Sequence, residues 1–339
     1  MSWKLFPVKD FDVYLSAWDN LNRKGPNTPL LDSRFVQPLI HNFGSGFEKI
    51  AINGDMENPI AMVIIAKQKL GVWSTFQPSQ APLGLWLCSQ NKTYEELLPS
   101  LASSLPSYTL VLGVTQQDPH LQHRPVENGG FSSIDYIETS HVNVNRSFDE
   151  YWQSRGKNLR HNLKRQRNRL EREGTRVSLQ VVTHSDGMLD AVHQYGILES
   201  SGWKNKIGSA VHIDNTQGKF YIEALSNLAK IGKTRVYRYF YDDKLVASDL
   251  CVIGGGSLII LKTAYDETIE TTSPTMLMRQ EIFQSLFEEQ LIQRIEFYGR
   301  VMDWHTKWLD EIRVMYHVNY YPWKIVYLTK CVVSKILNR

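Results

Sequence analysis

The first part of the chain alternates between short apolar runs and polar segments, a pattern that predicts strands joined by helices. Residues 60–76, "IAMVIIAKQKLGVWSTF", predict a buried strand, a turn and a second strand. Residues 91–105, "NKTYEELLPSLASSL", predict a helix that Thr93 caps, with Glu96 in the position of a capping box. Residues 108–115, "YTLVLGVT", predict another buried strand. A helix between two apolar runs is typical of an α/β unit.

The clearest architectural pattern lies further along, in residues 233–267, "KTRVYRYFYDDKLVASDLCVIGGGSLIILKTAYDE". It predicts three antiparallel strands with turns at residues 242–243 and 254–256. Residues 271–290, "TTSPTMLMRQEIFQSLFEEQ", then predict a helix with Ser273 as its N-cap. The fold class expected is mixed α/β (α+β), with a largely antiparallel sheet flanked by helices.

The start of this last helix is a candidate anion site. Pro274 takes the first helical position, where a missing N–H costs nothing. A helix that follows a strand presents free backbone N–H groups at its N-terminus, and these bind phosphate well. A cofactor that carries pyrophosphate would therefore fit at this position.

Residues 154–176, "SRGKNLRHNLKRQRNRLEREGTR", hold nine Lys or Arg and two Glu. Leu159, Leu163 and Leu170 fall at spacings of four and seven, which places them on one stripe of a helix with a basic outer face. A solvated outer face is the simplest interpretation. The alternative is that this face lines the approach for a phosphorylated or acidic partner, through Arg160, Lys164, Arg165 and Arg167.

Composition limits the protein class without deciding it. The 339 residues carry a formal net charge of only +3, so the basic stretch is a local feature and the net charge does not call for a polyanionic partner. Three widely separated cysteines indicate a reducing compartment, and no apolar run is long enough to span a bilayer. The expectation is a cytoplasmic protein.

The chain length favours two domains. The expected bounds are residues 1–140 for the first, 141–322 for the second and 323–339 for a basic amphipathic C-terminal tail. The tail has two interpretations, a packed C-terminal helix or a peripheral membrane contact.

Four segments of the second domain together resemble the GNAT acyltransferase superfamily. The match is closest to its CelD-type branch, which is associated with cellulose and other polysaccharide biosynthesis and related to the Fem-type peptidyl transferases. The segments are "RGKNLRHNLKRQRNRLEREG", "LESSGWKNKIGSAV", "LKTAYDETIETTSPTMLM" and "IEFYGRVMDWHTKW". The two-domain Fem architecture favours a second, degenerate GNAT-like fold in residues 1–140.

The resemblance implies transfer of an acyl group from acetyl-CoA or another acyl-CoA, or from an acyl carrier protein, to an amine. It makes 258–265 the fourth strand, 273–276 the pyrophosphate loop and 295–298 the fifth strand. The implied cofactor-binding residues are Leu261, Thr263, Ser273, Pro274, Thr275 and Met276. Thr275 departs from the glycine that usually follows Ser-Pro in this family, and its side chain crowds close approach.

Acyl transfer to an amine needs a proton acceptor, a donor for the leaving thiolate and N–H groups for the oxyanion. Candidates for these roles lie at the strand ends: Asp249, Tyr265, Glu296, Tyr298, Asp303 and His305. Histidine titrates near neutrality, which suits proton movement. The expected acceptor is an amino sugar or another small amine. The residues expected to hold it are Trp203, Lys204 and Lys307, together with Arg160 and Lys164 on the basic helix.

Other functions have weaker support. His120 and His123 have a spacing that a metal can use but lack a third partner, so no metal is expected. Asp266 and Glu267 are adjacent on a strand and point to opposite faces, which disfavours a glycosidase. A non-catalytic nucleic-acid module is also disfavoured, because residues 153–176 lack the aromatic side chains on which bases stack. A Fem-like transferase that uses aminoacyl-tRNA remains the alternative enzyme.

Overall fold

The computed structural model describes residues 2–200 and 211–337, with side chains as far as residue 332. It has the mixed α/β fold that the sequence predicts, with largely antiparallel strands flanked by helices. Contacts divide the chain into two compact units, Met1–Glu138 with Arg313–Arg339, and Thr139–Ile312.

The elements follow one another in short steps. From the N-terminus they are β1 (Trp3–Pro7), α1 (Leu15–Lys24), α2 (Ser33–Phe43), β2 (Lys49–Gly54), β3 (Pro59–Lys69), β4 (Val72–Thr75), β5 (Trp86–Cys88), α3 (Tyr94–Ser104), β6 (Val111–Gln117) and β7 (Phe131–Asn143). The chain continues through α4 (Phe148–Ser154), α5 (Lys157–Arg172), β8 (Val177–Val182), α6 (Met188–Ser200), α7 (Thr216–Ala229), β9 (Thr234–Tyr241) and β10 (Lys244–Gly254). It ends with β11 (Ser257–Tyr265), α8 (Pro274–Glu289), β12 (Arg294–Phe297), β13 (Glu311–Tyr320) and α9 (Lys324–Leu337).

Both units repeat one order of elements: a strand, two helices, three antiparallel strands, a helix and a strand parallel to the third. In the first unit the order is β1 to β4, α3 and β6, with β4 and β6 parallel. In the second unit it is β8 to β11, α8 and β12, with β11 and β12 parallel. A parallel pair needs a crossover connection, which α3 and α8 supply.

Residues after 312 group with the first unit, whereas the sequence placed 313–322 in the second domain. The physical reason is strand pairing: β13 pairs antiparallel with β6, so that Tyr316 lies opposite Gln117 and Val318 opposite Val114. Helix α9 follows in the position of the expected tail. None of the described helices is both long enough and apolar enough to cross a membrane.

The leucine stripe of the basic segment is buried, as its spacing predicts. Leu159, Leu163 and Leu170 on α5 pack into the core of the second unit, together with Tyr151 of α4 and Phe283 of α8. The polar outer face of the same helix stays accessible. Helix α5 is therefore held in that core by its apolar stripe, and Arg167 adds a bond of 2.7 Å to Glu281 of α8.

The caps of three helices differ from one another. Ser147 and Glu150 form a complete capping box on α4. Thr93 stands at the N-cap of α3, but the predicted capping box is wrong, because its side chain makes no cap hydrogen bond and Glu96 pairs instead with Lys92 at 2.8 Å. Ser273 is the N-cap of α8, as predicted, but also without a side-chain bond to the helix.

Replacing Leu163 by Ala should lower the free energy of unfolding by about 2 to 5 kcal/mol, because it removes a side chain that is only 2% exposed from this core. Arg165→Ala, an exposed position on the same helix, is the matched control and should change stability by less than about 0.5 kcal/mol. Urea unfolding of the two variants measures the difference. Equal effects would mean that α5 is not anchored by its leucines.

Candidate functional site

Strands β11 and β12 pair over only three residues and then part. The parallel register joins Ser257 to Arg294, Leu258 to Ile295 and Ile259 to Glu296. Directly after this point β11 carries an extra residue, Leu261, which has no partner on β10. A bulge of this kind bends a strand and strengthens its twist. An opening therefore forms between the two strands.

Two helices begin beside a cavity of about 590 Å³ in the same unit. Its walls come from the start of α5, the start of α8 and the turn at 304–307, and its lining residues are Ser154, Arg155, Gly156, Asn158, Leu159, Asn162, Leu163, Gln166, Ser273, Met276, Trp304, Thr306 and Lys307. The N-caps of the two helices, Gly156 and Ser273, make no side-chain cap bond, and neither helix has an acid in its first turn. The positive ends of two helix dipoles thus lie at this cavity uncompensated.

Side chains add to this positive potential unequally. Arg155 already has partners, since it donates to the carbonyl oxygens of Trp308 and Leu309 at 2.8 and 2.6 Å and to Asp310 at 2.9 Å. Lys307 is exposed and has no ion-pair partner among the described residues. Lys307 is therefore the side chain at this cavity whose charge remains available to a ligand.

A row of amides follows α5 along the cavity. Asn158, Asn162 and Gln166 are spaced by four residues, so they lie on one stripe, and all three line the cavity. The Oε1 atom of Gln166 accepts a hydrogen bond of 2.8 Å from the backbone N–H of Ser273. This bond fixes the start of α8 against α5, and the other two amides remain able both to donate and to accept.

A buried ionic cluster lies directly behind the cavity wall. Arg279 of α8 donates to the Thr263 hydroxyl at 2.9 Å and lies 3.8 Å from Asp249, which accepts from Thr263 at 2.5 Å. The Arg279 guanidinium lies 4.1 Å from the ring centroid of Trp304, a wall residue, in a cation–π contact. The sequence analysis missed Arg279, although it falls on the apolar stripe of α8 between Met276 and Phe283.

Burial dominates the electrostatics of this cluster. It raises the pKa of the Asp249 carboxyl, although Arg279 and the Thr263 hydrogen bond act in the opposite direction. It likewise lowers the pKa of the Arg279 guanidinium. One oxygen of Asp249 and Nε of Arg279 are buried without a hydrogen-bond partner among the described residues. Unsatisfied buried atoms of this kind are costly, and they cluster where function requires them.

His305 follows Trp304 and stacks on it, with ring centroids 3.4 Å apart. Its Nδ1 accepts a hydrogen bond of 2.9 Å from the backbone N–H of Met302. Burial, and then the positive charge of Arg279, lower the pKa of His305 to about 4. The ring is therefore neutral at pH 7. The expectation that His305 moves protons because histidine titrates near neutrality does not apply to it.

Glu296 lies on the opposite face of the sheet from the Asp249 cluster. Its neighbours Ile295 and Phe297 point into the core beneath α8, so the side chain between them points away. It lies opposite His141 across β7 and β12, and Oε1 is 3.6 Å from Arg294. The structure thus does not bring Glu296 together with Asp249.

The other predicted residues fall into three groups. Leu261 and Thr263 lie on β11 at the opening, while Ser273, Met276 and Lys307 line the cavity and Pro274 and Thr275 form the first turn of α8. Tyr265 ends β11, is half exposed and does not line the cavity, and Arg160 and Lys164 line a second groove of about 550 Å³ on the outer face of α5. Trp203 and Lys204 lie outside the described residues.

The described residues contain no group of three or more His, Cys, Asp or Glu placed to hold a metal ion. Asp303 lies in the turn before His305, and Tyr298 directly follows β12. The arrangement at the cavity is thus suited to binding an anion and an amide-bearing chain, with a buried carboxyl and guanidinium group behind the wall.

Residues 157–306 match the sequence family described as the acetyltransferase (GNAT) domain. Two solved structures share the fold at TM-scores of 0.58 and 10% identity: FemX, and the C-terminal domain of a candidate lysylphosphatidylglycerol synthetase from Agrobacterium fabrum. Each alignment covers 96% of this chain and 99% and 96% of the respective relative. A conserved protein of unknown function from Bacteroides thetaiotaomicron has a TM-score of 0.57, 11% identity and coverage of 94% and 99%.

A comparison with curated proteins gives no match. The domain match runs from the start of α5 to the turn at His305, and so includes α8, β11, β12 and nine of the thirteen residues that line the cavity. Residues 157–306 thus form a GNAT-type acetyltransferase domain, which supports an acyltransferase activity. The assignment to the CelD-type branch stays a prediction, because none of these similarities distinguishes that branch.

The environment of His305 predicts a pH-dependent stability. A folded pKa of about 4, below an ordinary value of 6.5, means that the unfolded chain binds a proton first as the pH falls. The neutral His305 ring therefore makes its full contribution to the free energy of unfolding above pH 6.5. This contribution, about 3 kcal/mol, is lost as the pH falls towards 4. His305→Asn removes the titrating group, so unfolding free energies measured from pH 7 to 4 should fall less steeply for the variant. Identical slopes, or an imidazole NMR titration centred near 6.5, would contradict this.

Proposed function

We propose that the protein moves an acyl group, acetyl in the first instance, from an acyl-CoA thioester to the amine of a small acceptor. The observation that carries the proposal is the meeting of two uncompensated helix N-termini, at Gly156 and Ser273, on one cavity beside the opening of β11 and β12. A pyrophosphate placed there would accept from backbone N–H groups and lie near Lys307.

The rest of such a donor matches other parts of the cavity. The arm of coenzyme A contains amide groups, and Asn158 and Asn162 present amides along the wall. The opening between β11 and β12 leads from the cavity towards Thr263 and the buried Asp249. The side chain of Thr275 reduces the space near the phosphate. Its backbone N–H group is nevertheless kept in the first turn of α8.

The reaction requires one proton to leave the amine and one to reach sulfur. The neutral amine attacks the thioester carbonyl, the C–S bond breaks, and the thiolate leaves as coenzyme A. Asp249 has a raised pKa and a free carboxylate oxygen, which support a role in holding or accepting a proton. His305 is neutral at pH 7 and, with Nδ1 bonded to Met302, carries its proton on Nε2.

For the acceptor we propose a class of molecules and no single compound. A small amine, such as an amino sugar of polysaccharide or cell-envelope biosynthesis, agrees with the family resemblance of the sequence. Lys307 at the cavity mouth would pair with a carboxylate or phosphate of that acceptor or of the donor.

Asn162→Asp tests where the donor binds. It places a negative charge in the cavity at nearly constant shape, so it should weaken coenzyme A binding about tenfold, or about 1.4 kcal/mol, by repulsion from the phosphates. Asn168→Asp makes the same change at an exposed position of α5 that lines the outer groove instead. Titration calorimetry of both variants with coenzyme A and acetyl-CoA measures the effect.

The proposal fails if coenzyme A neither binds nor raises the melting temperature of the unmodified protein, and no thiol is released from acetyl-CoA with a panel of amines. Equal losses in Asn162→Asp and Asn168→Asp would leave the acyl-CoA reaction standing but would place the donor elsewhere.

A second candidate donor is aminoacyl-tRNA, as the alternative enzyme of the sequence analysis. The observation that favours it is the basic groove along the outer face of α5, lined by Lys157, Arg160, His161, Lys164 and Arg167. Arg167 is already paired with Glu281 at 2.7 Å, so the groove has less free charge than its composition indicates. FemX shares the fold, which shows that this fold accommodates Fem-type proteins.

Charge reversal on α5 separates the two donors. If tRNA binds, Arg160→Glu with Lys164→Glu should weaken its binding at least about tenfold and reduce the salt dependence, because both side chains line the groove. Arg165→Glu with Arg172→Glu, exposed on the same helix but outside the groove, is the charge-matched control. Filter binding across a salt series measures both pairs. No binding of tRNA by the unmodified protein would exclude this donor.

A further inference from the structure

The C-terminal helix α9 carries an exposed apolar stripe. Ile325, Leu328 and Val332 are spaced three and four residues apart, so they lie along one side of the helix. Each is more than half exposed, and Ile325 reaches 74%. The sequence left open whether this tail is a packed helix or a membrane contact, and the described residues leave more than half of each stripe side chain uncovered.

The helix is nevertheless fixed to its unit by contacts on other sides. Nε1 of Trp323 donates to the carbonyl oxygen of Thr109 at 2.9 Å, and Nζ of Lys330 donates to the Ser132 hydroxyl at 2.6 Å. The indole ring of Trp323 remains half exposed despite its bond. The apolar stripe is thus presented outward by an anchored helix.

A hairpin of the same unit extends this apolar surface. Leu70, at the turn between β3 and β4, is 64% exposed. Its neighbour Gly71 packs against Leu110 and Tyr108, since a Cβ atom there would lie 2.8 and 3.2 Å from them. Tyr108 is half exposed and adjoins Thr109, the residue that holds Trp323. We call the six exposed apolar residues the apolar patch: Leu70, Tyr108, Trp323, Ile325, Leu328 and Val332.

The charged residues next to the patch members in the sequence are basic. Lys67 and Lys69 are exposed on the hairpin beside Leu70, and Lys324 is exposed beside Ile325. In the sequence from Tyr321 to Arg339, every charged residue is basic: Lys324, Lys330, Lys335 and Arg339. A group of exposed apolar residues with lysines beside it, and with a tryptophan and a tyrosine among its members, has the composition of an interfacial membrane-binding surface.

We propose that the apolar patch docks this protein on the surface of a membrane that contains anionic lipid. Helix α9 would lie in the plane of the interface, with its stripe among the acyl chains and the lysines at the headgroups. The opposite charge of the lipid favours this occupant over a second copy of the chain, which would bring two lysine rims together. The inference does not depend on the acyl donor or acceptor.

Co-sedimentation with vesicles tests the proposal directly. The probes are vesicles of phosphatidylcholine alone and of phosphatidylcholine with phosphatidylglycerol at three to one. The unmodified protein should bind the anionic vesicles, and binding should weaken as salt is raised. Ile325→Glu with Leu328→Glu should reduce the partition coefficient at least about tenfold, because two apolar contacts are replaced by repelled charges.

The matched control for the apolar pair is Val13→Glu with Phe47→Glu, two exposed apolar residues of the same unit with the same change in charge. Lys67→Gln with Lys69→Gln should weaken binding to anionic vesicles more than Lys219→Gln with Lys230→Gln, exposed lysines of the second unit. Neither control pair should weaken vesicle binding as much as its test pair does.

Three outcomes would overturn the proposal. They are no binding of the unmodified protein to anionic vesicles at low salt, equal losses in a test pair and its control, and a dimer in light scattering that Ile325→Glu with Leu328→Glu converts to monomer while vesicle binding stays unchanged. The last result would assign the patch to a second copy of the chain. Melting temperatures of all variants distinguish lost binding from lost folding.

Discussion

Strands β11 and β12 pair through three residue pairs, and the extra residue Leu261 bends β11 away just beyond the last of them. A fully paired sheet would leave no passage between these strands. Because they part, the start of α8 and the turn at 304–307 can both lie beside the opening, and Arg279 can enter it from α8 to reach Thr263. The position of the cavity and of the buried cluster therefore follows from this short pairing.

The cavity wall is held in place by polar side chains that the residue types alone would suggest as ligand-binding groups. Arg155 binds two carbonyl oxygens and Asp310, and the Tyr151 hydroxyl donates to the same carbonyl of Trp308 at 2.7 Å. These bonds fix the segment that follows Lys307 against α4 and α5. Gln166 likewise fixes Ser273. Rigid positioning of this kind lets Lys307 and the helix N-termini act on a ligand without reorganisation.

Local patterns predicted the fold well, since the leucine stripe of α5, the turns at 242–243 and 254–256 and the start of α8 at Ser273 all appear where expected. Contacts between residues far apart in the sequence were harder to predict. Arg279 is 30 residues from Asp249, and only the fold shows that they meet, although a charged residue on the apolar stripe of α8 was a visible signal. The pKa of His305 could not be read from its residue type, because burial and Arg279 set it. The face of the sheet on which Glu296 lies could not be read from the sequence for a similar reason, since the face of a short strand depends on its neighbours.

The two units share one order of elements, so a difference between helices in corresponding positions can be interpreted. In the first unit β4 and β6 also pair over three residues across α3, so the backbone arrangement is the same. Helix α3, however, carries Glu95 and Glu96 in its first turn, and these acids compensate the positive end of its own dipole. Helix α8 has no acid there. Two helices in corresponding positions thus differ in what they offer an anion, which supports placing the acyl chemistry in residues 139–312.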